Sequence, residues 1–192
     1  NMITFYYFTH RFKRSMLEII PTEPSFDLSW EHVSPLYKEQ FLANVTFSVV
    51  TGKKSYDIIR VNQDIGVFYS KKIINVLSQF VDMSDKCYPI KIEGLEEQYY
   101  VIYNLEAYPY WNRDEDTFLY DPCYFGMQDP STPIFGIEGT LFIMVSEEVK
   151  NALLKNKVSN IELIESFGCS LEEYKEIKKS KFKPEVHAYR DR

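Results

Sequence analysis

Apolar and polar positions along this 192-residue chain fall into blocks of two periods, alternation and the three-to-four repeat of a helix. Residues 2–8, "MITFYYF", are dense in β-branched and aromatic residues and predict a strand. "THRFKRSMLEII" predicts a short helix from Thr9 that Pro21 stops, and residues 21–37, with Pro21, Pro24 and Pro35, read as connection. "NVTFSVVT" and "YDIIRV" read as strands, with "GKKS" as the turn of a hairpin between them. In "GVFYSKKIINVLSQF" the apolar run stops at Ser70, after which Ile73, Ile74, Leu77, Phe80 and Val81 recur at helical spacing. "YPIKIEG" (88–94) and "QYYVIYNLEA" (98–107) alternate as strands. Residues 108–133, with four prolines, read as a long irregular excursion of the kind that is functional or disordered, and their aromatic content argues against simple disorder.

"IFGIEGTLFIMV" predicts two short strands around Glu138-Gly139. Ser146 then caps a helix whose first turn holds Glu147 and Glu148, complementing the helix dipole, with Val149, Ala152 and Leu153 facing inward. "SNIELIES" returns as a strand, and "GCSLEEYKEIKKS" opens a last helix at Ser170 with Glu173 at the capping-box position. The fold class that results is α+β, a mainly antiparallel sheet with three or four helices, two of them entered through serine N-caps. It forms a single domain over 2–183 with 184–192 as a mobile tail; the closing segment "KFKPEVHAYRDR" is either mobile or docked by Phe182 and Tyr189. Aligned on Ser70 and Ser146, the two joints share two charged residues next, a β-branched residue at plus three, Asn at plus five and Leu at plus seven. A strand that ends at an N-capping serine is common, so this likeness leaves both a repeat and coincidence open.

Composition refines the picture. With 45% hydrophobic and 26% charged residues the chain is that of a folded protein, long enough to bury a core without staples. Its 15 Tyr and 14 Phe suit half-buried strand faces and interaction surfaces. A net charge of −6 argues against a general nucleic-acid binder and is compatible with a basic partner. Cys87, Cys123 and Cys169 lack any CxxC spacing and read as reduced thiols. "NMITFYYF" has no basic n-region or long apolar core, and no apolar run approaches the roughly 18 residues needed to span a bilayer. The expectation is a cytoplasmic protein.

The succession "VFYSKKIINVL", "CYPIKI", "QYYVIYNLEA", "PIFGIEGTLFIMVSEEVKNALLKNKVSNIELIES" and "GCSLEEYKE" resembles the DUF1629-type immunity proteins of bacterial polymorphic toxin systems. The resemblance covers residues 65–175 and rests on the order of the motifs. Where that family has a tight Gly before the last strand, this chain has Ser159-Asn160. The family's polar course after its "YY" strand is echoed here only by Asn104 and Asp114–Asp116. The resemblance implies an antidote that binds and blocks a cognate toxin, with no enzyme activity, no catalytic residues and no cofactor.

Read for chemistry, the residues themselves agree. Neither Ser70 nor Ser146 sits in G-x-S-x-G, and an N-cap serine has its oxygen committed to backbone N–H groups. His10, His32 and His187 show no metal-type spacing, and nothing invites a composite site with the cysteines. "NRDEDTFLYD" places Asp114, Asp116 and Asp121 close together, yet the EF-hand order and its Gly are missing. A solvated acidic loop is one reading; a carboxylate-dependent hydrolase or metal-binding enzyme using these residues is the alternative. Residues 93–129 hold nine acids against one base, a net −8 that exceeds the charge of the whole chain. Aromatic residues interleave them, some of which belong to the core. As a recognition surface the stretch would use Tyr108, Tyr110, Trp111 and Tyr120 as anchors and Asp114, Glu115 and Asp116 to steer a basic toxin. As plain structure it is a strand followed by a solvated turn.

Overall fold

The computed structural model describes residues 3–22, 33–63, 66–109, 124–125, 130–180 and 183–189. Two mixed, mostly antiparallel sheets share one core, as expected for an α+β chain. The first sheet is built around β1 (Ile3–His10), which pairs along its whole length with β13 (Ile161–Gly168) and on its other side with β12 (Ile143–Val145). β11 (Ile134–Ile137) and β9 (Ala107–Tyr108) continue that sheet beyond β12. Beyond β13 lie β10 (Tyr124–Phe125) and β14 (Val186–His187). The second sheet runs β6 (Cys87–Pro89), β8 (Tyr99–Ile102), β5 (Val67–Ser70), β4 (Ile58–Val61), β2 (Glu18–Pro21), β3 (Thr46–Thr51) and β7 (Lys91–Ile92).

Helices α2 (Lys71–Leu77) and α3 (Glu147–Lys155) lie between the sheets and touch each other. Period-two alternation sends Tyr6 and Phe8 of β1 into this shared core, where they meet Ile73 and Leu77 of α2 and Val149 and Leu153 of α3. Helical spacing does the same for α3, whose Val149 and Leu153 are fully buried. The far face of the second sheet packs Phe47 and Phe68 against Phe41 of α1 (Lys38–Asn44). A smaller cluster of Phe135, Ile137 and Met144 lies on the far face of the first sheet.

The two serine joints occupy equivalent places in the two sheets. In the second sheet β2 lies parallel to β4, β4 forms an antiparallel pair with β5, and α2 leads to β6, with β8 antiparallel between β5 and β6. In the first sheet β9 lies parallel to β11, β11 forms an antiparallel pair with β12, and α3 leads to β13, with β1 antiparallel between β12 and β13. Order and sense agree for five strands and one helix. The inserted strand follows its unit as β8 in one case and comes from the start of the chain as β1 in the other.

Both caps form as the sequence predicts: Ser70 Oγ accepts from Ile73 N–H at 3.3 Å and Ser146 Oγ from Val149 N–H at 3.4 Å. Ser170 and Glu173 make the reciprocal capping box of α4 (Leu171–Lys179), each accepting from the other's backbone N–H at 3.2 Å. Ser146→Ala is expected to lower stability by about 1 kcal/mol in urea unfolding, the usual worth of a cap. Ser70→Ala should cost more, because Ser70 holds a second partner described below.

Several sequence expectations are corrected. No helix forms over residues 9–20. β1 runs on to His10, and residues 16–21 return as an extended segment, because Leu17 and Ile19 are needed to fill the second core. β3 and β4 do not form a hairpin; β2 lies between them, antiparallel to one and parallel to the other. "YPIKIEG" splits into β6 and β7, which pair on opposite edges of the second sheet. α1 lies in a stretch whose pattern had suggested only connection on one side and a strand on the other. α2 ends at Leu77, and Phe80 and Val81 pack from the turn that follows. The tail docks through Val186 and His187 as β14. Among the described residues no helix is long and apolar enough to cross a membrane.

Candidate functional site

Of the proposed partner-binding residues, Tyr108 alone is described; Tyr110, Trp111, Asp114, Glu115, Asp116 and Tyr120 lie outside the described residues, as do Cys123 and Asp121. Tyr108 is half-buried at the edge of the first sheet, its ring edge-on to Phe135 at 5.5 Å. Its hydroxyl donates to the Glu106 carboxylate and shares a 2.8 Å hydrogen bond with Ser131 Oγ. Its ring is therefore partly used by the fold, and Tyr108→Ala would disturb packing as well as any contact. Residues 110–123 join β9 and β10, which occupy opposite edges of the first sheet.

The described acids at the start of the stretch are gathered elsewhere. Glu93, Glu96 and Glu97 are exposed around a depression of about 280 Å³ beside β7, with Ile92 and Leu95 among its lining. None of the three forms an ion pair with a described residue. Glu106 lies at the edge of the other sheet, so the run that is continuous in sequence is divided in space between two sheet edges.

The joint serines are scaffold, and the structure shows what they hold. Ser70 Oγ donates to Asp57 Oδ1 at 2.6 Å while capping α2. Asp57 Oδ2 accepts from Ser159 N–H at 2.7 Å and from Ser159 Oγ at 2.9 Å, and Ser159 Oγ accepts from Asp57 N–H. Lys72 Nζ stands 3.8 Å from the same carboxylate oxygen. Asn160, 1% exposed, sits at φ +44°, a left-handed conformation that Asn tolerates better than most residues. Its amide spans the start of β4, accepting from Ile58 N–H at 3.1 Å and donating to Ile58 C=O at 2.9 Å. A glycine here would supply the turn but neither bond. This buried polar knot clips the turn before β13 to the start of β4 and so ties one sheet to the other. Sequence reading missed it because its members are 102 residues apart.

A cleft of about 450 Å³ opens between the sheets, lined by the end of β1, the end of β8 and the β11–β12 hairpin. Its apolar walls include Ile102, Leu105 and Ile143, and its polar groups include His10 and Tyr69. Burial, aided by the nearby Arg60 guanidinium, lowers the His10 pKa and favours the neutral imidazole. Burial pushes the Tyr69 phenol well above its usual range and keeps it protonated. Neither side chain makes a hydrogen bond to another described residue, so no base–nucleophile pair is assembled here. Of the two described cysteines, Cys169 is buried and its thiol is pushed up to about 11, and burial also raises Cys87, whose Sγ–H donates to Met83 C=O; both shifts disfavour the thiolate. Comparisons with protein-family models, with curated proteins and with solved structures returned no match.

Proposed function

We propose that this chain is a non-enzymatic inhibitory binding protein of the cytoplasm, an immunity protein that sequesters a cognate bacterial toxin domain through an acidic, aromatic-rich surface. The motif order shared with DUF1629-type immunity proteins supports the class of function. One structural observation supports the mode of binding. Glu93, Glu96 and Glu97 stand exposed around a depression whose lining mixes Ile92 and Leu95 with polar residues, Lys91 among them, and none of the three forms an ion pair with a described residue, so their field is free to act on a basic partner. The serines that had looked like chemistry are spent on capping and on the Asp57 knot.

The partner is read as a basic toxin domain, with the acids accelerating encounter and Tyr108, Tyr110, Trp111 and Tyr120 supplying buried contact area. The test is a tagged pull-down from native lysate, identification of a stoichiometric toxin-like domain, and kinetics with that domain. Trp111→Ala is expected to raise the dissociation rate about 10-fold or more, the usual effect of losing an aromatic anchor. Reversing Asp114, Glu115 and Asp116 to lysine should chiefly slow association and flatten its salt dependence. Unchanged rates in both variants would remove residues 106–125 from the interface.

A further inference from the structure

Where β14 meets β13, the register places Leu163 opposite His187 and Ile164 opposite Val186. One step further, Glu165 N–H donates to Glu185 C=O at 2.9 Å, so Glu165 and Glu185 face each other across an antiparallel pair. Two like charges directly opposite are destabilising in a sheet unless a cation stands between them. Among the described residues neither carboxylate has a Lys or Arg within ion-pair distance. Lys150, a buried ammonium, is engaged with Tyr6, lying 4.4 Å over its ring, and with Glu147 at 4.0 Å.

The third member of the group is His187, whose ring lies edge-on to Tyr6 at 5.5 Å. Its Nε2 is closed off from solvent and has no hydrogen-bond partner among the described residues. It stands 3.7 Å from Glu185 Oε2 and 4.0 Å from Glu165 Oε1, too far for a hydrogen bond to either. A ligand atom from each of the three residues lies within 4.8 Å of the others. The Glu165 carboxylate is itself positioned, since its other oxygen accepts from Glu185 N–H at 3.4 Å.

We infer that Glu165, Glu185 and His187 bind a divalent transition-metal ion, with one imidazole nitrogen and two carboxylate oxygens as protein ligands. That donor set suits Zn²⁺ or Mn²⁺, with water completing the coordination. Donors around such an ion, at about 2.1 Å each, stand about 3 to 3.5 Å apart, so closing on it requires only small side-chain movements from the present spacing. The ion supplies the charge that two opposed carboxylates require, satisfies a buried nitrogen that lacks a partner, and pins β14 to the rim of the first sheet. Spacing could not reveal the site, because Glu165 and His187 are separated by the whole of α4.

The test is calorimetric titration of Mn²⁺, and separately of Zn²⁺, into the chelator-treated 192-residue chain, with thermal unfolding in parallel. One saturable site and a raised unfolding temperature are expected, since an ion that binds only the folded state stabilises it by mass action. Affinity should fall at least about 10-fold in His187→Ala and in Glu185→Gln. Glu185 is well exposed, so its variant keeps the test valid if His187→Ala loosens the tail. Asp114→Asn combined with Asp116→Asn should bind as the parent chain does. No binding at all would mean that the imidazole alone bridges the carboxylates and would overturn the assignment. So would binding that survives both site variants, or that vanishes with the aspartates, which would move the ion to the acidic stretch.

Discussion

Asp57→Ala is expected to lower the stability of the chain by about 3 kcal/mol or more, the largest effect of any polar substitution among the described residues. The side chain is 8% exposed as a residue and receives three hydrogen bonds, from Ser70 Oγ, Ser159 N–H and Ser159 Oγ. Truncation leaves a backbone N–H and two hydroxyls without their acceptor in a closed space, and each buried group left unsatisfied costs about 1 to 3 kcal/mol. The cap on α2 survives, because Ser70 Oγ still accepts from Ile73 N–H, so the loss falls on the link between the sheets and not on the helix. Equilibrium urea unfolding followed by far-UV and by tyrosine signals checks both points. A loss of 1 kcal/mol or less would show that the turn at Ser159-Asn160 holds by other means. Non-coincident transitions would show that the sheets come apart in sequence once the knot is cut.

Phe68→Ala should cost about 3 to 5 kcal/mol, the range for an aromatic removed from a rigid core. Phe68 is fully buried in the middle of β5, 5.3 Å from the Phe47 ring and edge-on to it, with Phe41 of α1 beyond. Strands on both sides and α1 above limit how far the site can collapse, so the cavity term is retained in full. Measured by the same unfolding experiment, a value under about 2 kcal/mol would mean that this core repacks freely. The substitution lies on the far face of the second sheet from α2 and α3, which separates its effect from that of the Asp57 knot.

What the sequence disclosed follows the range of the interactions involved. Caps and hairpins are local: Ser70, Ser146 and the Ser170–Glu173 box each act within three residues, and the β11–β12 connection, residues 138–142, turns at Glu138-Gly139. All of them were legible. The basic and apolar residues of 9–20 fit a helical period, while burial of Met16, Leu17 and Ile19 beside the second sheet decides for an extended course. The supposed hairpin of β3 and β4 failed for a similar reason, since β2 arrives from elsewhere to occupy the gap. Likewise the Asp57 knot and the Glu165–Glu185–His187 group join residues that no local pattern connects. The acidic stretch was legible as charge, but its division between two sheet edges was not, because that depends on where β7 and β9 pair.

The place of β1 has a consequence for how the molecule is made. Its eight residues are made before either of its neighbours, one of which ends at Val145 and the other at Gly168. The second sheet is closed by residue 102 and can condense early, whereas the first must wait, with Tyr6 and Phe8 unburied, until residue 168 has been synthesised. Pairing across so great a separation is slow, and an apolar strand that waits for it is open to pairing with other chains. Yield from the cell should therefore depend on temperature and on chaperones more steeply than the stability of the finished protein would suggest. The step that governs it is the late capture of the first strand by the last two-strand framework.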